Sequence, residues 1–296
     1  MTATDIPTPT SATTGFEGGG DGADLRPRSL HPLREAGTFV GLAYGLAVVV
    51  ALLLPGTRSH PGPASVVSGV VPVVTLLLIG LTTRVRHAPA NPIPLGVRRA
   101  GLRYWPFAVL VPAAAIGASF AATWALGVVR FHQLGLYLAD APISLVFMSV
   151  FWLVEELGWR GYLLPRLAQV LSNRSASLVT GLIHGVFHIP LMVLTVAYNS
   201  EGSRWLVVPG AVAVISLGGV LFGWLRIRSG SVWPAAIAHA AVNTALVESP
   251  TLVTDRPALA AYLTSEAGLF TLVTVGLLAL VLLRRADWTD AAPKAA

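Results

Sequence analysis

The chain has 296 residues, of which 54% are apolar and only 11% are charged, against roughly 25% charged residues in an average soluble protein. Its mean hydropathy of +0.69 is typical of polytopic membrane proteins and argues against a soluble globular one. The chain contains no cysteine, which excludes disulfides and thiolate metal sites. We interpret the net charge of +6 as arginines in loops on one side of a membrane, and expect no nucleic-acid partner.

Residues 1–36 are rich in Thr, Ser, Gly, Pro and Asp, lack hydrophobic periodicity and are predicted to form a disordered cytoplasmic tail. Eight apolar runs follow, and most approach the ~20 residues that cross a bilayer. The runs are residues 37–54, 64–81, 104–129, 142–164, 175–197, 205–225, 231–247 and 268–283. We predict an all-α polytopic membrane protein with about eight transmembrane helices bundled around an intramembrane cavity. Residues 37–285 form its single helical domain with a motif core at 142–247, and residues 286–296 form a short cytoplasmic tail.

The basic residues give an independent test of this topology. With the first tail in the cytoplasm, eight spans place fifteen Lys and Arg residues on the side of that tail and four on the opposite side. This asymmetry follows the positive-inside rule and predicts a plasma-membrane protein with both termini in the cytoplasm. The seventh run is short and moderately polar, but the charge alternation fails at the C-terminus without it.

Glycines spaced four residues apart in three of the runs predict close helix packing. These pairs are Gly41/Gly45, Gly181/Gly185 and Gly219/Gly223. Pro190 is expected to kink the fifth run just after His188. Trp159, in the fourth run, is interpreted as an interfacial or packing residue.

Polar side chains lie deep within the fourth, fifth and seventh runs, where charged groups are costly. At about 1.5 Å of rise per residue, Glu155, His184, His188, His239 and Asn243 fall in one layer in the cytoplasmic half of the bilayer. His184/His188 and His239/Asn243 are each four residues apart and so share a helix face. This layout can direct a carboxylate and several imidazoles at one cavity.

Glu156 and Arg160 are also four residues apart and are expected to pair on one helix face. Glu155 is rotated by about 100° around the helix, which leaves its carboxylate without that arginine and favours a catalytic role. Glu156 and Arg160 could equally join two helices structurally.

Other functions remain open on these residues alone. Intramembrane histidines and Asn243 could simply form interhelical hydrogen bonds, and intramembrane Glu, Arg and His also build ion or proton pathways in transporters. A transporter is the weaker alternative, because no inverted repeat is visible in the sequence. A scaffold that binds peptides or lipids without cutting them is the third alternative.

The motifs resemble those of the CAAX-protease and bacteriocin-processing family of intramembrane proteases, also called the abortive-infection family. Its EExxxR motif is matched by Glu155, Glu156 and Arg160, and the run continues with the sequence GYLLPRL. Its second motif, an aromatic residue followed four residues later by histidine, falls on residues 184–188. His239 and Asn243 match the third motif. The resemblance extends over about residues 151–246, and the chain departs from the pattern at His184, where the family usually has Phe or Trp. We expect His184 to fill this aromatic slot, although it could compete with His188 for the chemistry.

The resemblance implies hydrolysis of a peptide bond in or near the membrane. In this scheme Glu155 and His188 activate a water molecule, and His239 and Asn243 donate hydrogen bonds to the developing oxyanion. Glu156, Arg160 and His184 support the geometry. The expected partners are the lipid bilayer and a peptide or protein substrate reached from the membrane or the cytoplasmic side.

The sequence assigns no cofactor with certainty. Zinc is the metal that a carboxylate and two histidines could hold, and Glu155, His188 and His239 are the candidate ligands. The HExxH spacing of many zinc proteases is absent, and a glutamate-activated water without metal is the alternative.

Overall fold

The computed structural model describes most of the helical domain. The described residues are 31–54, 64–86, 95–195, 202–246 and 252–290. Most of the predicted N-terminal tail, residues 1–30, therefore lies outside the described residues, as do residues 291–296 of the C-terminal tail.

The described residues are mostly helical. The helices are α1 (His31–Leu53), α2 (Ala64–Arg86), α3 (Trp105–Ala125), α4 (Leu134–Glu156), α5 (Leu164–Leu167), α6 (Asn173–Phe187), α7 (Ile189–Leu194), α8 (Arg204–Ser229), α9 (Trp233–Leu246), α10 (Pro257–Thr264) and α11 (Leu269–Arg285). A 3₁₀ turn, Leu102–Tyr104, precedes α3, and a π-helical turn, Leu157–Leu163, joins α4 to α5. Two short strands, β1 (Arg130–Phe131) and β2 (Leu252–Val253), pair antiparallel.

Six stretches among the described residues are long and apolar enough to cross a membrane. They are His31–Leu53, Leu102–Ala125, Leu134–Leu167, Asn173–Leu194, Arg204–Ser229 and Pro257–Arg285. The predicted all-α polytopic fold is confirmed. The count of eight spans stays a prediction, because the second and seventh runs form shorter apolar helices, Val66–Thr82 within α2 and the 14-residue α9.

Helix α1 begins at His31 and so includes the last six residues of the predicted tail, which was expected to end at about residue 36. Pro32 lies in the first turn of this helix, where its missing N–H is not needed. Glu35 accepts a 2.6 Å hydrogen bond from Arg166 Nε, and Ala36 is buried. These contacts hold residues 31–36 on the bundle, although composition alone assigned them to the tail.

Helix α9 is the central helix of the bundle and packs against α3, α4 and α8. Every side chain from Pro234 to Ala241 is buried, so a helix too short for a lipid-facing span is instead enclosed by protein. This enclosure explains why the seventh run tolerates polar residues, since His239 meets protein groups rather than hydrocarbon.

Helices α6 and α8 approach each other closely along their glycines. A Cβ added at Gly181 would lie 2.4 Å from the carbonyl oxygen of Ser216, and one at Gly223 would lie 1.8 Å from Ser177 Oγ. The predicted close packing is therefore confirmed for this pair of helices. It is wrong for Gly41 and Gly45 of α1, which have no described neighbour within 4 Å of such a Cβ.

The π-helical turn Leu157–Leu163 directly follows the two glutamates of the fourth run. Such turns leave backbone groups without their regular helical partners and occur frequently at functional sites. Here Arg226 Nε donates a 3.1 Å hydrogen bond to the carbonyl oxygen of Arg160. Gly158 allows the turn to approach α2, because a Cβ there would lie 2.4 Å from Pro72 Cβ.

Candidate active site

The two carboxylates of the fourth run end α4 and are fully buried. Oε1 of Glu155 accepts hydrogen bonds from Trp159 Nε1 at 3.0 Å and from His184 Nε2 at 2.9 Å. Its other oxygen, Oε2, is buried and has no hydrogen-bond partner among the described residues. One carboxylate oxygen thus fixes the side chain, while the other lacks the partner that a buried acceptor requires.

Glu156 forms the predicted ion pair with Arg160. The distance from Arg160 Nη1 to Glu156 Oε1 is 3.0 Å, and both side chains have zero exposure. His239 Nδ1 lies 2.9 Å from the same oxygen. Arg160 also lies over the ring of Phe222, at 5.0 Å from its centroid, so the cation is held by both a charge and an aromatic face. The charge of Glu156 is therefore compensated locally, while its Oε2, like that of Glu155, is buried without a hydrogen-bond partner among the described residues.

His184 connects the two carboxylates through Arg160. Arg160 Nη1 lies 3.1 Å from His184 Nδ1, and a guanidinium can only donate, so Nδ1 is the acceptor nitrogen of the ring. The proton of the neutral imidazole is then on Nε2, which donates it to Glu155. His184 also stacks on Trp159 with 5.1 Å between ring centroids. It occupies the expected aromatic slot and in addition holds the carboxylate of Glu155.

His188 lies where α6 gives way to α7, which confirms the predicted break before Pro190. Its Nδ1 donates a 3.0 Å hydrogen bond to the carbonyl oxygen of His184. Because a carbonyl can only accept, this contact assigns the proton of the neutral ring to Nδ1 and the lone pair to Nε2.

His239 is held between two aromatic rings. Trp152 stacks on one face with centroids 4.4 Å apart, and Phe222 stacks on the other at 5.3 Å. One turn further along α9, Asn243 Nδ2 donates a 3.1 Å hydrogen bond to the carbonyl oxygen of His239. Trp152 Nε1 is buried without an acceptor among the described residues. The sequence did not single out Trp152, and the only available signal was its position three residues before Glu155.

A cavity of about 90 Å³ lies beside the three histidines and has room for a few water molecules. Glu155 is not among its lining residues, but His184, which holds Glu155, is. Its wall combines polar side chains with apolar ones from α3, α8, α9 and α11. Its polar lining consists of Trp152, His184, His188, His239, Asn243, Glu266 and Thr271. The sequence missed Glu266, because this residue lies two positions before the predicted start of the eighth run.

A carboxylate oxygen of Glu155 and one ring nitrogen each of His184 and His188 lie within 4.8 Å of one another. His239, the third expected metal ligand, instead contacts Glu156. His184 does not suit a cation, since its Nδ1 lone pair faces Arg160 and its Nε2 carries the proton. A metal bound at Nε2 would displace the proton from that nitrogen. Because Nδ1 must keep its lone pair to accept from Arg160, the ring would then have no proton on either nitrogen. The arrangement therefore does not fit a metal held by these three residues.

One comparison with known protein families agrees with the motif resemblance. Residues 137–245 match the family model described as Type II CAAX prenyl endopeptidase Rce1-like, which confirms the resemblance over these residues. All residues of the three motifs lie within the match, whereas Glu266 lies outside it. A comparison with curated proteins finds no match.

Proposed function

We propose that this chain, whose residues 137–245 match the Rce1-like endopeptidase family, is an intramembrane endopeptidase that hydrolyses a peptide bond with an activated water. The matched family is a family of proteases. Both buried glutamates keep Oε2 without a hydrogen-bond partner among the described residues. The observation that carries the proposal is that Glu156 contacts Arg160, whereas Glu155, held at Oε1 by Trp159 and His184, contacts no Lys or Arg in the described part of the chain. A desolvated carboxylate oxygen of this kind is suited to accept a proton from water.

Glu155 is proposed to act as the general base and then as the general acid. As the water oxygen bonds to the scissile carbonyl carbon, one water proton passes to Oε2 and the carbonyl electrons move to oxygen. The tetrahedral intermediate then collapses, the C–N bond breaks, and the proton passes from Glu155 to the leaving nitrogen. His188, whose Nδ1 donates to the carbonyl oxygen of His184, is proposed to help orient the same water.

His239 and Asn243 are proposed to stabilise the oxyanion. Glu156 holds His239 at Nδ1, so Nε2 is the ring nitrogen left to face the oxyanion, and it donates there only when both ring nitrogens carry a proton. We add Trp152, since its Nε1–H lacks an acceptor beside the same cavity. Donors that are fixed before the reaction stabilise developing charge most effectively in a site that excludes water.

Glu156, Arg160 and His184 are proposed to position the catalytic groups. Arg160 compensates the charge of Glu156 and fixes the tautomer of His184, which in turn holds Glu155. This leaves Glu155 as the buried carboxylate without a cation in contact among the described residues, and so favours it over Glu156 as the base. In this scheme the chemistry needs no metal, although zinc was a candidate on the ligand types.

The substrate is proposed to be a peptide or protein that enters from the bilayer or from the cytoplasmic side. The excess of basic residues on one side of the predicted spans supports a plasma-membrane orientation with both termini in the cytoplasm. A non-catalytic scaffold would share the apolar cavity but would not need a buried carboxylate, Glu155, that no cation contacts among the described residues.

The proposal is tested with purified protein in detergent micelles and a pool of membrane peptides, read by mass spectrometry. Glu155→Gln and His239→Ala are expected to abolish cleavage. Asp140→Asn, at an exposed position of the same helix α4, is the matched control and is expected to cleave like the wild type. Retained cleavage in Glu155→Gln would overturn the assignment of the base.

A further inference from the structure

Glu266 lies in a break between two helices of one apolar stretch. Helix α10 ends at Thr264 and α11 begins at Leu269, and together they make the span Pro257–Arg285. Irregular backbone within such a stretch is tolerated where it is buried in protein or lines a cavity. Glu266 satisfies this condition, since it lines the same cavity as His184 and His239.

The turn that carries Glu266 is fixed from both sides. Ser119 Oγ of α3 lies 2.9 Å from Thr264 Oγ1 and 2.9 Å from Thr271 Oγ1, and all three side chains are buried. On the opposite side, a Cβ at Gly210 of α8 would lie 2.7 Å from the carbonyl oxygen of Ala267. The position of Glu266 at the cavity is therefore set by packing rather than by a free loop.

The carboxylate of Glu266 has no hydrogen bond or ion pair within the described part of the chain. No Lys or Arg lines the cavity, and most of the surrounding wall is apolar. A carboxylate in such surroundings is costly unless a cation or a hydrogen-bond donor meets it. The turn lies just before the N-terminus of α11, an environment that favours a negative charge. The group is thus suited to meet a cation that enters with a ligand.

The packing of α8 gives the distance between Glu266 and the catalytic layer. Near one end of the cavity, Gly210 of α8 contacts Ala267, the residue next to Glu266. Further along α8, Phe222 stacks on His239 of the catalytic layer. These α8 positions are separated by roughly 18 Å at 1.5 Å per residue. An extended peptide rises about 3.3 Å per residue, and a lysine side chain spans part of the distance. The cavity of about 90 Å³ is smaller than such a peptide, so the substrate enters only if the surrounding helices move apart. In that bound state, a cation on Glu266 belongs to a residue about three to five positions from the scissile bond.

We propose that Glu266 forms a subsite that binds a cationic group of the peptide substrate, an ammonium or guanidinium about three to five residues from the bond that is cut. The inference rests on the proposed peptidase function and adds the charge of the substrate to it. The cation can come from a Lys or Arg side chain or from a free N-terminal amine.

The test measures binding separately from cleavage. The full chain carrying Glu155→Gln is titrated in micelles with fluorescent, N-acetylated apolar peptides that contain one Lys at successive positions. Each peptide is paired with the same sequence carrying norleucine, which keeps the side-chain length and removes the charge. At one position of the lysine along the peptide, we expect the Lys peptide to bind about 10-fold more tightly than its norleucine partner, as one charge contact in a partly buried site provides.

Glu266 variants then identify the source of this preference. Adding Glu266→Gln is expected to bring the Lys-to-norleucine ratio to about one, and Glu266→Lys to favour a Glu peptide instead. Asp140→Asn removes an exposed acid and is expected to leave the ratio unchanged. An unchanged ratio in Glu266→Gln, or no Lys preference in the parent protein, would overturn the subsite. Because Glu266→Lys must gain a new preference, loss of folding cannot imitate the expected result.

Two further arms separate the alternatives. If the dependence on Glu266 is seen only with peptides that have a free amine, the subsite binds the chain terminus rather than a side chain. Protein with Glu155 intact is tested for cleavage of the same peptides. Binding with a charge preference but without cleavage contradicts the proposed function alone, whereas cleavage without a charge preference contradicts only the subsite.

Discussion

His184 Nε2 donates to Glu155 Oε1 across 2.9 Å, and both side chains are almost fully buried. The family that the motifs resemble usually has an aromatic residue at this position. In this chain the side chain therefore makes a hydrogen bond where only packing is expected. It determines which oxygen of Glu155 is held and which one lacks a partner.

Replacing His184 by Phe should therefore separate its packing role from its polar role. We expect His184→Phe to fold but to lower kcat by about 10- to 100-fold with little change in KM, because Glu155 loses one of two donors that position it. His184→Gln, whose amide can donate to Glu155, should recover part of kcat. Equal kcat for the wild type and His184→Phe would mean that the aromatic ring alone suffices.

Trp152 offers a sharper test of the oxyanion donors. Trp152→Phe keeps a ring on His239 but removes the Nε1–H, so we expect kcat to fall by up to about 10²-fold, the usual cost of losing one such donor. Thermal stability in detergent should change little. A full-rate Trp152→Phe enzyme would remove this side chain from the oxyanion site and leave His239 and Asn243.

The close approach of α6 and α8 predicts a stability difference between two glycines. Gly181→Ala should lower the free energy of unfolding by about 1–3 kcal/mol, since its Cβ would collide with the backbone of Ser216. Gly41→Ala should be neutral or stabilising by up to about 1 kcal/mol, because its Cβ meets no described neighbour and alanine favours helix. Thermal unfolding of both variants in one detergent provides the comparison, and equal effects would contradict the packing account.

Metal analysis tests the tautomer of His184. Because Arg160 occupies the His184 Nδ1 lone pair, we expect purified active protein to contain less than one equivalent of zinc and to keep its activity after treatment with a chelator. The His188→Ala variant should contain no less metal than the wild type. One equivalent of zinc in the wild type that His188→Ala loses would contradict this account and favour a metal centre.

The features that the sequence could predict are those set within one helix. The Glu156–Arg160 pair follows from a spacing of four residues, and it forms at 3.0 Å. The break near Pro190 follows equally from local chemistry. Trp159 was expected to be an interfacial or a packing residue, and it packs in the core with no exposed surface. Its hydrogen bond to Glu155 Oε1 went unpredicted, because the general habits of tryptophan in membrane proteins do not give a partner.

Contacts between helices could not be predicted in the same way. The partners of His184 and His239 depend on the rotation and depth of three helices and on the π-helical turn at Leu157–Leu163, none of which a hydropathy pattern gives. For this reason the sequence grouped His239 with Glu155, whereas the structure pairs it with Glu156. Glu266 was missed because a helix break places a loop residue at the cavity.

The most direct test compares peptide termini in membranes that contain wild-type protein with those that contain Glu155→Gln at the same level. The account predicts new termini that form only with the wild type and that disappear in Glu155→Gln, while the Asp140→Asn control keeps them. If the wild-type and Glu155→Gln proteins are folded and equally abundant and their membranes contain identical peptide termini, this result would contradict proteolysis.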